Sequence, residues 1–140
     1  MELNLVEKVI ALEGVTLFET LGPEDVASIA AIAAEAQYRP GSMIIDEAKP
    51  VSALFVILDG SVELTHKGRV MDKAGKGSVL GLWALLDADN PIELTVKATE
   101  DTHLLRIARD EFYDLLADDI EFTSAVLSSL VKRLRKVEDL

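Results

Sequence analysis

Between residues 40 and 108 the chain passes through several short apolar segments that are separated by Gly or Pro turns. Pro40-Gly41 is a turn signal, and the apolar run 53–58 ends at Asp59-Gly60, a pair typical of hairpins. In 61–66 and again in 94–99, apolar and polar residues alternate as in half-buried strands. Short strands at such close spacing predict a β-barrel or a β-sandwich.

Both ends of the chain have helical periodicity instead. Residues 3–12 show a short helical pattern, and a second helix is expected to begin at Pro23, with Gly22 as N-cap, and to end near Ala36. Another short helix is predicted from Arg109 to Leu116, before a long last helix. We therefore predict one α+β, mainly β domain with N-terminal helices over residues 1–36, a barrel over 37–108 and C-terminal helices over 109–140.

The last helix has apolar residues in steps of three and four. Its seam is formed by Ile120, Thr123, Leu127, Leu130, Leu134 and Val137. This spacing is that of a coiled coil, and it predicts a homodimer through Leu127, Leu130, Leu134 and Val137. An amphipathic helix that packs back on its own domain uses the same spacing, so both readings stay open. The basic cluster Lys132-Arg133-Arg135-Lys136 is interpreted as offsetting the helix dipole, with a contact to a partner as the alternative.

Charge and composition exclude several classes of function. The net charge is −11, so most of the surface would repel a nucleic-acid backbone. The 140 residues contain no cysteine, which excludes disulfides and thiolate metal sites. No apolar stretch is long enough to span a membrane, and the N-terminus does not resemble a signal peptide. We expect a cytoplasmic protein with no nucleic-acid or membrane partner.

The order of the segments resembles one known family. The segments that carry the resemblance are Leu17-Phe18 with Leu21, Tyr38-Arg39-Pro40-Gly41, the run from Phe55 to Leu64, the run from Gly77 to Gly81, Ala84-Leu85-Leu86, Thr95 to Ala98, and Leu105-Arg106-Ile107 with Phe112 and Leu115-Leu116. In this order and spacing, over roughly residues 15–137, they resemble a cyclic nucleotide-binding domain. The resemblance implies an eight-stranded, double-stranded β-roll (a jelly-roll barrel) with N-terminal helices and C-terminal B and C helices.

The same resemblance shows where the chain departs from the family. In its phosphate-binding cassette a Gly-Glu pair opens a short helix, the Glu accepts a hydrogen bond from the ribose, and an Arg about ten residues later pairs with the phosphate. Here Gly81 is kept, but the Glu position is Leu82, the Arg position falls on Ile92, and Glu93 follows. No arginine lies anywhere in residues 70–105. A buried anion without its partner would cost about 3–5 kcal/mol.

The cassette region is therefore predicted to be apolar and to have lost ordinary cyclic nucleotide binding. The residues assigned to this altered ligand pocket are Gly81, Leu82, Trp83, Ala84, Ile92, Glu93 and Leu94. The pocket is either filled by side chains or open to an uncharged ligand. No catalytic constellation is recognised, and His66 and His103 lie on different predicted strands, so no metal site is predicted.

These observations predict a regulatory or sensor module and not an enzyme. It has no obligatory cofactor, and it acts through dimerisation by the last helix or through contacts with a partner domain. The alternative is a working sensor of cAMP, cGMP or another small ligand, which is held in an altered pocket. Pocket volume separates the two readings: a cavity that is filled by Leu82, Trp83 and Ile92 favours the first, and an open cavity favours the second.

Overall fold

The computed structural model describes residues 2–87, 89 and 94–138. Its elements in chain order are α1 (Leu5–Glu13), a 3₁₀ turn (Thr16–Phe18), α2 (Pro23–Ile32), β1 (Ala34–Tyr38), β2 (Met43–Ile45), β3 (Ala53–Asp59), β4 (Ser61–His66), β5 (Arg69–Gly75), β6 (Val79–Leu80), α3 (Leu82–Leu86), β7 (Thr95–Ala98), β8 (Thr102–Ala108), α4 (Arg109–Asp118) and α5 (Ile120–Glu138). The strands form two four-stranded antiparallel sheets, in the orders β1-β8-β3-β6 and β2-β7-β4-β5. The predicted mainly β roll between terminal helices is confirmed.

Strand β3 connects the two halves of the hydrophobic core, which explains its unbroken apolar sequence. Leu54 and Val56 face the layer of helices, where they pack in one buried cluster. Phe55 and Ile57 point to the opposite face, into the cluster between the two sheets. A strand that is buried on both faces needs apolar residues at every position. Each fully buried Leu, Ile or Phe stabilises the fold by about 1.5–3 kcal/mol, so β3 anchors the roll to the helices.

Helix α2 begins as predicted but ends earlier. Gly22 is its N-cap and Pro23 is its first residue. The helix stops at Ile32, and Ala34–Tyr38 form strand β1, which pairs with β8 from Ala34 to Tyr38. The predicted helical end near Ala36 is therefore not observed, and the roll begins a few residues before position 37. Alanine favours helix locally, but the backbone hydrogen bonds to β8 outweigh that propensity.

The C-terminal helices pack on the N-terminal segment through three phenylalanine rings. Phe112 of α4 meets Phe122 of α5 edge to face at 5.8 Å between centroids, and Phe18 stacks on Phe122 at 6.3 Å. All three side chains are buried. Such ring pairs stabilise by about 0.5–1.5 kcal/mol beyond the area they bury. This cluster sets the course of α5 across the domain.

The carboxylate that caps α5 belongs to Asp119, which lies between α4 and α5. Asp119 Oδ1 accepts hydrogen bonds from the backbone N–H groups of Glu121 (3.0 Å) and Phe122 (3.1 Å). Asp118 is instead the last residue of α4. Among the described residues, no helix is both long enough and apolar enough to cross a membrane.

Candidate functional site

The short helix α3 is held at the end of β6 by Gly81. This glycine has φ +90°, and a Cβ at this position would lie 2.8 Å from the carbonyl oxygen of Ala53. Only glycine therefore fits both the left-handed turn and the close approach to β3. The carbonyl of Gly81 accepts the N–H of Leu85, and the Tyr113 hydroxyl donates to the carbonyl of Leu85. The cassette scaffold is thus built and tied to α4.

An open cavity of about 690 Å³ lies beside α3. One wall comes from the roll and the other from α5, and the segment after α1 closes one side. The apolar part of the roll and cassette wall is formed by Ile45, Val51, Leu64, Val79, Leu80, Leu82, Leu94 and Val96. The volume falls within the range of small-molecule sites. A ligand in this cavity would contact the roll, α3 and α5 together.

Leu82 and Trp83 line the cavity without filling it. Leu82 is buried and belongs to the core cluster beneath the helices. Trp83 is 44% exposed, with the guanidinium carbon of Arg133 lying 5.5 Å from its ring centroid. This is a cation–π contact, worth about 0.5–1 kcal/mol at an exposed site. Trp83 therefore joins α3 to α5 at the edge of the cavity and is not a core residue.

The α5 wall of the cavity is polar and basic. Its lining residues are Ala125, Ser128, Ser129, Lys132, Arg133 and Lys136. Their spacing of three and four places them on one stripe of the helix. Lys132 Nζ lies 3.4 Å from Glu19 Oε1, which ties α5 to the N-terminal segment. Asp72 is the other carboxylate among the described lining residues.

The described structure places five of the seven predicted pocket residues on this cavity: Gly81, Leu82, Trp83, Ala84 and Leu94. Ile92 and Glu93 lie outside the described residues. The basic residues of α5 were assigned to the helix dipole, and their place in the cavity wall was not predicted. The available signal was the i, i+1, i+4 spacing of Lys132, Arg133 and Lys136, which puts them on one face.

The residues of the predicted dimer seam have different environments in the structure: some are exposed and one packs against the core. Leu127 and Leu134 are 57% and 52% exposed, but Leu130 is half-buried and packs against the core. The side chain of Val137 lies outside the described part of the chain. Val131, which the seam did not include, is 48% exposed between Leu127 and Leu134. Ile120 at the start of α5 is 77% exposed as well, so the exposed large apolar side chains in the described part of α5 are Ile120, Leu127, Val131 and Leu134.

The histidines take part in polar contacts on the roll. His103 Nε2 lies 2.9 Å from Glu35 Oε2, and Glu35 also accepts the backbone N–H of Leu3. That backbone hydrogen bond, followed by the contact with His103, lowers the pKa of Glu35. His66 Nδ1 lies 4.0 Å from Glu47. Within the described residues, no three His, Asp or Glu side chains converge as a metal site would require.

Comparison with known proteins identifies the family. The model of the cyclic nucleotide-binding domain matches residues 35–119, more than half of the chain. The chain belongs to the cyclic nucleotide-binding domain family. It is also 36% identical over 108 residues to a cAMP-dependent protein kinase regulatory subunit of Aspergillus fumigatus, in an alignment that covers 75% of this chain and 26% of that protein. The chain thus spans about a quarter of the length of the curated relatives it matches.

Solved structures confirm the fold of this cyclic nucleotide-binding domain. The catabolite activator protein of Thermus thermophilus matches with a TM-score of 0.76 and 28% identity, over 88% of this chain and 60% of that chain. A mutant regulatory subunit of a cAMP-independent protein kinase A from Trypanosoma brucei, with cAMP bound in its A site, matches with a TM-score of 0.77 and 18% identity, over 94% and 47% of the chains. The family resemblance expected from the sequence is confirmed.

Proposed function

We propose that this domain is a non-catalytic regulatory module whose cavity receives a small ligand other than a cyclic nucleotide held in the usual way. The open cavity of about 690 Å³ carries the proposal. If the site no longer bound any ligand, side chains would be expected to fill the cavity, because an empty cavity loses van der Waals contacts between its walls. Here Leu82 packs in the core and Trp83 stands at the rim.

The sequence of the cassette argues against ordinary cyclic nucleotide binding. Leu82 cannot accept the hydrogen bond that a Glu accepts at the same place in the family, and no arginine is present in residues 70–105 to pair with a cyclic phosphate. The relative from Aspergillus fumigatus, which is described as cAMP-dependent, favours cAMP as a second candidate. Backbone N–H groups after Gly81 would then have to hold the phosphate without a cation.

The experiment compares cAMP with an uncharged aromatic probe. Isothermal titration of the chain with cAMP and cGMP is expected to give no saturable heat at millimolar ligand. N-phenyl-1-naphthylamine, a neutral fluorescent probe, is expected to bind with saturation at one site. The matched variants are Ser129→Phe, which adds bulk to the cavity wall, and Ser124→Phe, an exposed position on the same helix that does not line the cavity.

Probe binding should be lost in Ser129→Phe and kept in Ser124→Phe. Saturable binding of cAMP to the unmodified chain would overturn the proposal and make the second candidate correct. Equal binding to both variants, or no saturable binding of either N-phenyl-1-naphthylamine or its sulfonated analogue 8-anilino-1-naphthalenesulfonate, would show that the cavity is not a ligand site.

The output of the module is proposed to pass through α5. This helix lines the cavity on one side and exposes Leu127, Val131 and Leu134 on another. If α5 can take two positions relative to the roll, a ligand that contacts it in only one of them would shift the population of molecules towards that position. We propose that the exposed face binds a second copy of the chain, since the a/d-like spacing of Leu127 and Leu134 suits self-pairing; a partner domain is the alternative occupant.

A further inference from the structure

We infer that the ligand of this cavity is a small amphipathic anion whose charged group is held by α5 and not by the cassette. The inference rests on the function proposed above and specifies the ligand's chemistry. The ligand class is a carboxylate, sulfonate or phosphate that is attached to an aliphatic or aromatic body. The argument depends on how charge is distributed over the two walls of the cavity.

The roll and cassette wall offers an apolar surface. Leu64, Val79 and Val96 from three strands line it together with Leu82 of α3. Among the described residues of this wall there is no Lys or Arg, and Asp72 is its single charged side chain. Such a wall binds hydrocarbon or aromatic surface, and it gives an anion no counter-charge.

The α5 wall supplies the counter-charge. Lys132, Arg133 and Lys136 all line the cavity, and two serine hydroxyls lie beside them on the same stripe. The described lining thus contains three cations and two carboxylates, although the whole chain has a net charge of −11. A locally positive lining in an acidic protein would attract an anion and disfavour a cation.

The contacts that these three cations make do not neutralise all of their positive charge, so part of it can pair with an anionic ligand. Lys132 already faces Glu19 at 3.4 Å, so those two charges largely offset each other. Arg133 lies over the Trp83 ring, which is neutral, so this contact does not neutralise the positive charge of the guanidinium. Lys136 has no carboxylate partner within the part of the chain that the structure describes. Arg133 and Lys136 therefore remain to pair with an anion, against Asp72 alone.

The orientation of α5 is the second observation. A helix that packs on its own domain normally turns its apolar face inward and its charges to solvent. Beyond the buried Phe122 and Val126, the inward side of α5 continues with Lys132, Arg133 and Lys136, which line the open cavity and are themselves solvent-exposed, whereas Leu127, Val131 and Leu134 are exposed on another side. Offsetting the helix dipole requires cations near the last turn but not on this face. A ligand with an anionic group gives the orientation a physical reason.

The test uses two probes that differ by one charged group. The probes are 8-anilino-1-naphthalenesulfonate, which carries a sulfonate, and N-phenyl-1-naphthylamine, which has the same ring system and no charge. We expect the anionic probe to bind about tenfold more tightly, since hydrogen bonds to charged groups contribute more than neutral ones. Added salt should weaken the anionic probe and leave the neutral probe unchanged.

Lys136→Gln and Arg133→Gln should each weaken the anionic probe by about five- to tenfold and leave the neutral probe within about twofold. Arg135→Gln is the matched control, because it removes the same charge from the same helix at a position that does not line the cavity. Circular dichroism of each variant establishes that it is folded.

The outcomes separate the two proposals. Equal affinity for both probes, or equal effects of Lys136→Gln and Arg135→Gln, would overturn the anion inference while the ligand cavity stands. No saturable binding of either probe would overturn the proposed function itself. Anionic binding that is lost in Leu134→Gln but kept in Lys136→Gln would place the probe on the outer face of α5 and would also overturn the inference.

Discussion

At the scale of single residues, the candidate site depends on a few side chains around the start of α3. Leu82, at the position where the family resemblance predicts a hydrogen-bond acceptor, is buried in the core cluster. Trp83, the single tryptophan of the chain, lies at the rim beneath Arg133. Gly81 provides the left-handed backbone turn that precedes α3 and allows the close approach to Ala53.

Gly81→Ala is expected to destabilise the domain by about 2–3 kcal/mol. The methyl group would clash with the carbonyl oxygen of Ala53, and the positive φ is itself a strained conformation for alanine. Gly41→Ala is the matched control, because Gly41 has φ +87° with nothing within 4 Å of its Cβ position. Urea unfolding should show a loss of about 1 kcal/mol for the control. Equal losses would mean that the approach of Gly81 to Ala53 carries no cost of its own.

At the scale of elements, α5 is the most informative part of the molecule because three of its stripes face different surroundings. Phe122 and Val126 are buried in the core. Lys132 and its neighbours face the cavity, and Leu127 with Leu134 is exposed. One helix thus borders the core, the cavity and the outer surface.

The first turn of α2 and the N-cap of α5 meet at two carboxyls. Asp25 is hydrogen-bonded to Asp119, and this interaction, with partial burial and the charge of Asp119, raises the pKa of Asp25. The folded state therefore binds this proton more tightly than the unfolded chain does. Its contribution to stability is present at low pH and is lost as the pH rises through the folded pKa.

Asp25→Asn should for this reason raise the melting temperature at about pH 7, where an amide can donate to the Asp119 carboxylate without charge repulsion. The gain should shrink as the pH falls through the raised pKa of Asp25, where Asp25 in the unmodified chain gains its own proton. Thermal melts of both chains across this range provide the measurement. Glu24→Gln, at an exposed position in the same turn, is the control; a gain that does not depend on pH would contradict the explanation.

At the scale of the whole molecule, the domain combines a fold shared with regulatory proteins with an exposed apolar face that a single copy does not cover. The chain spans about a quarter of its curated relatives' length, so the same fold operates there beside other segments. The exposed side chains on α5 form one continuous stripe, and α1 carries a separate exposed set, Leu5, Val6 and Ile10. Self-association through α5 is the simplest way to bury the first stripe.

The double variant Leu127→Glu/Leu134→Glu is expected to convert a dimer into a monomer, because it places carboxylates opposite one another in the proposed interface. Light scattering after size-exclusion chromatography measures the mass. Ile10→Glu is the control, since Ile10 is 63% exposed on α1 and lies outside the α5 stripe. A monomeric unmodified chain, or a dimer that only Ile10→Glu disrupts, would contradict self-association through α5.

What the sequence alone determined follows from local chemistry. The Gly and Pro turns, the alternation in β4 and β7 and the Gly22-Pro23 helix start are all properties of neighbouring residues, so they could be predicted directly. The strand assignment of Ala34–Tyr38 could not, because it depends on pairing with β8, some seventy residues away. Local propensity says nothing about that partner.

The tertiary structure alone decided what each face of α5 meets. A spacing of three and four shows which residues share a face, but the phenylalanine cluster of α4, α5 and the 3₁₀ turn determines how the helix is rotated on the domain. That rotation turns Leu130 towards the core, leaves Leu127 and Leu134 exposed, and brings Arg133 to the cavity. The sequence shows that α5 carries these charges, but only long-range packing decides that they line the cavity.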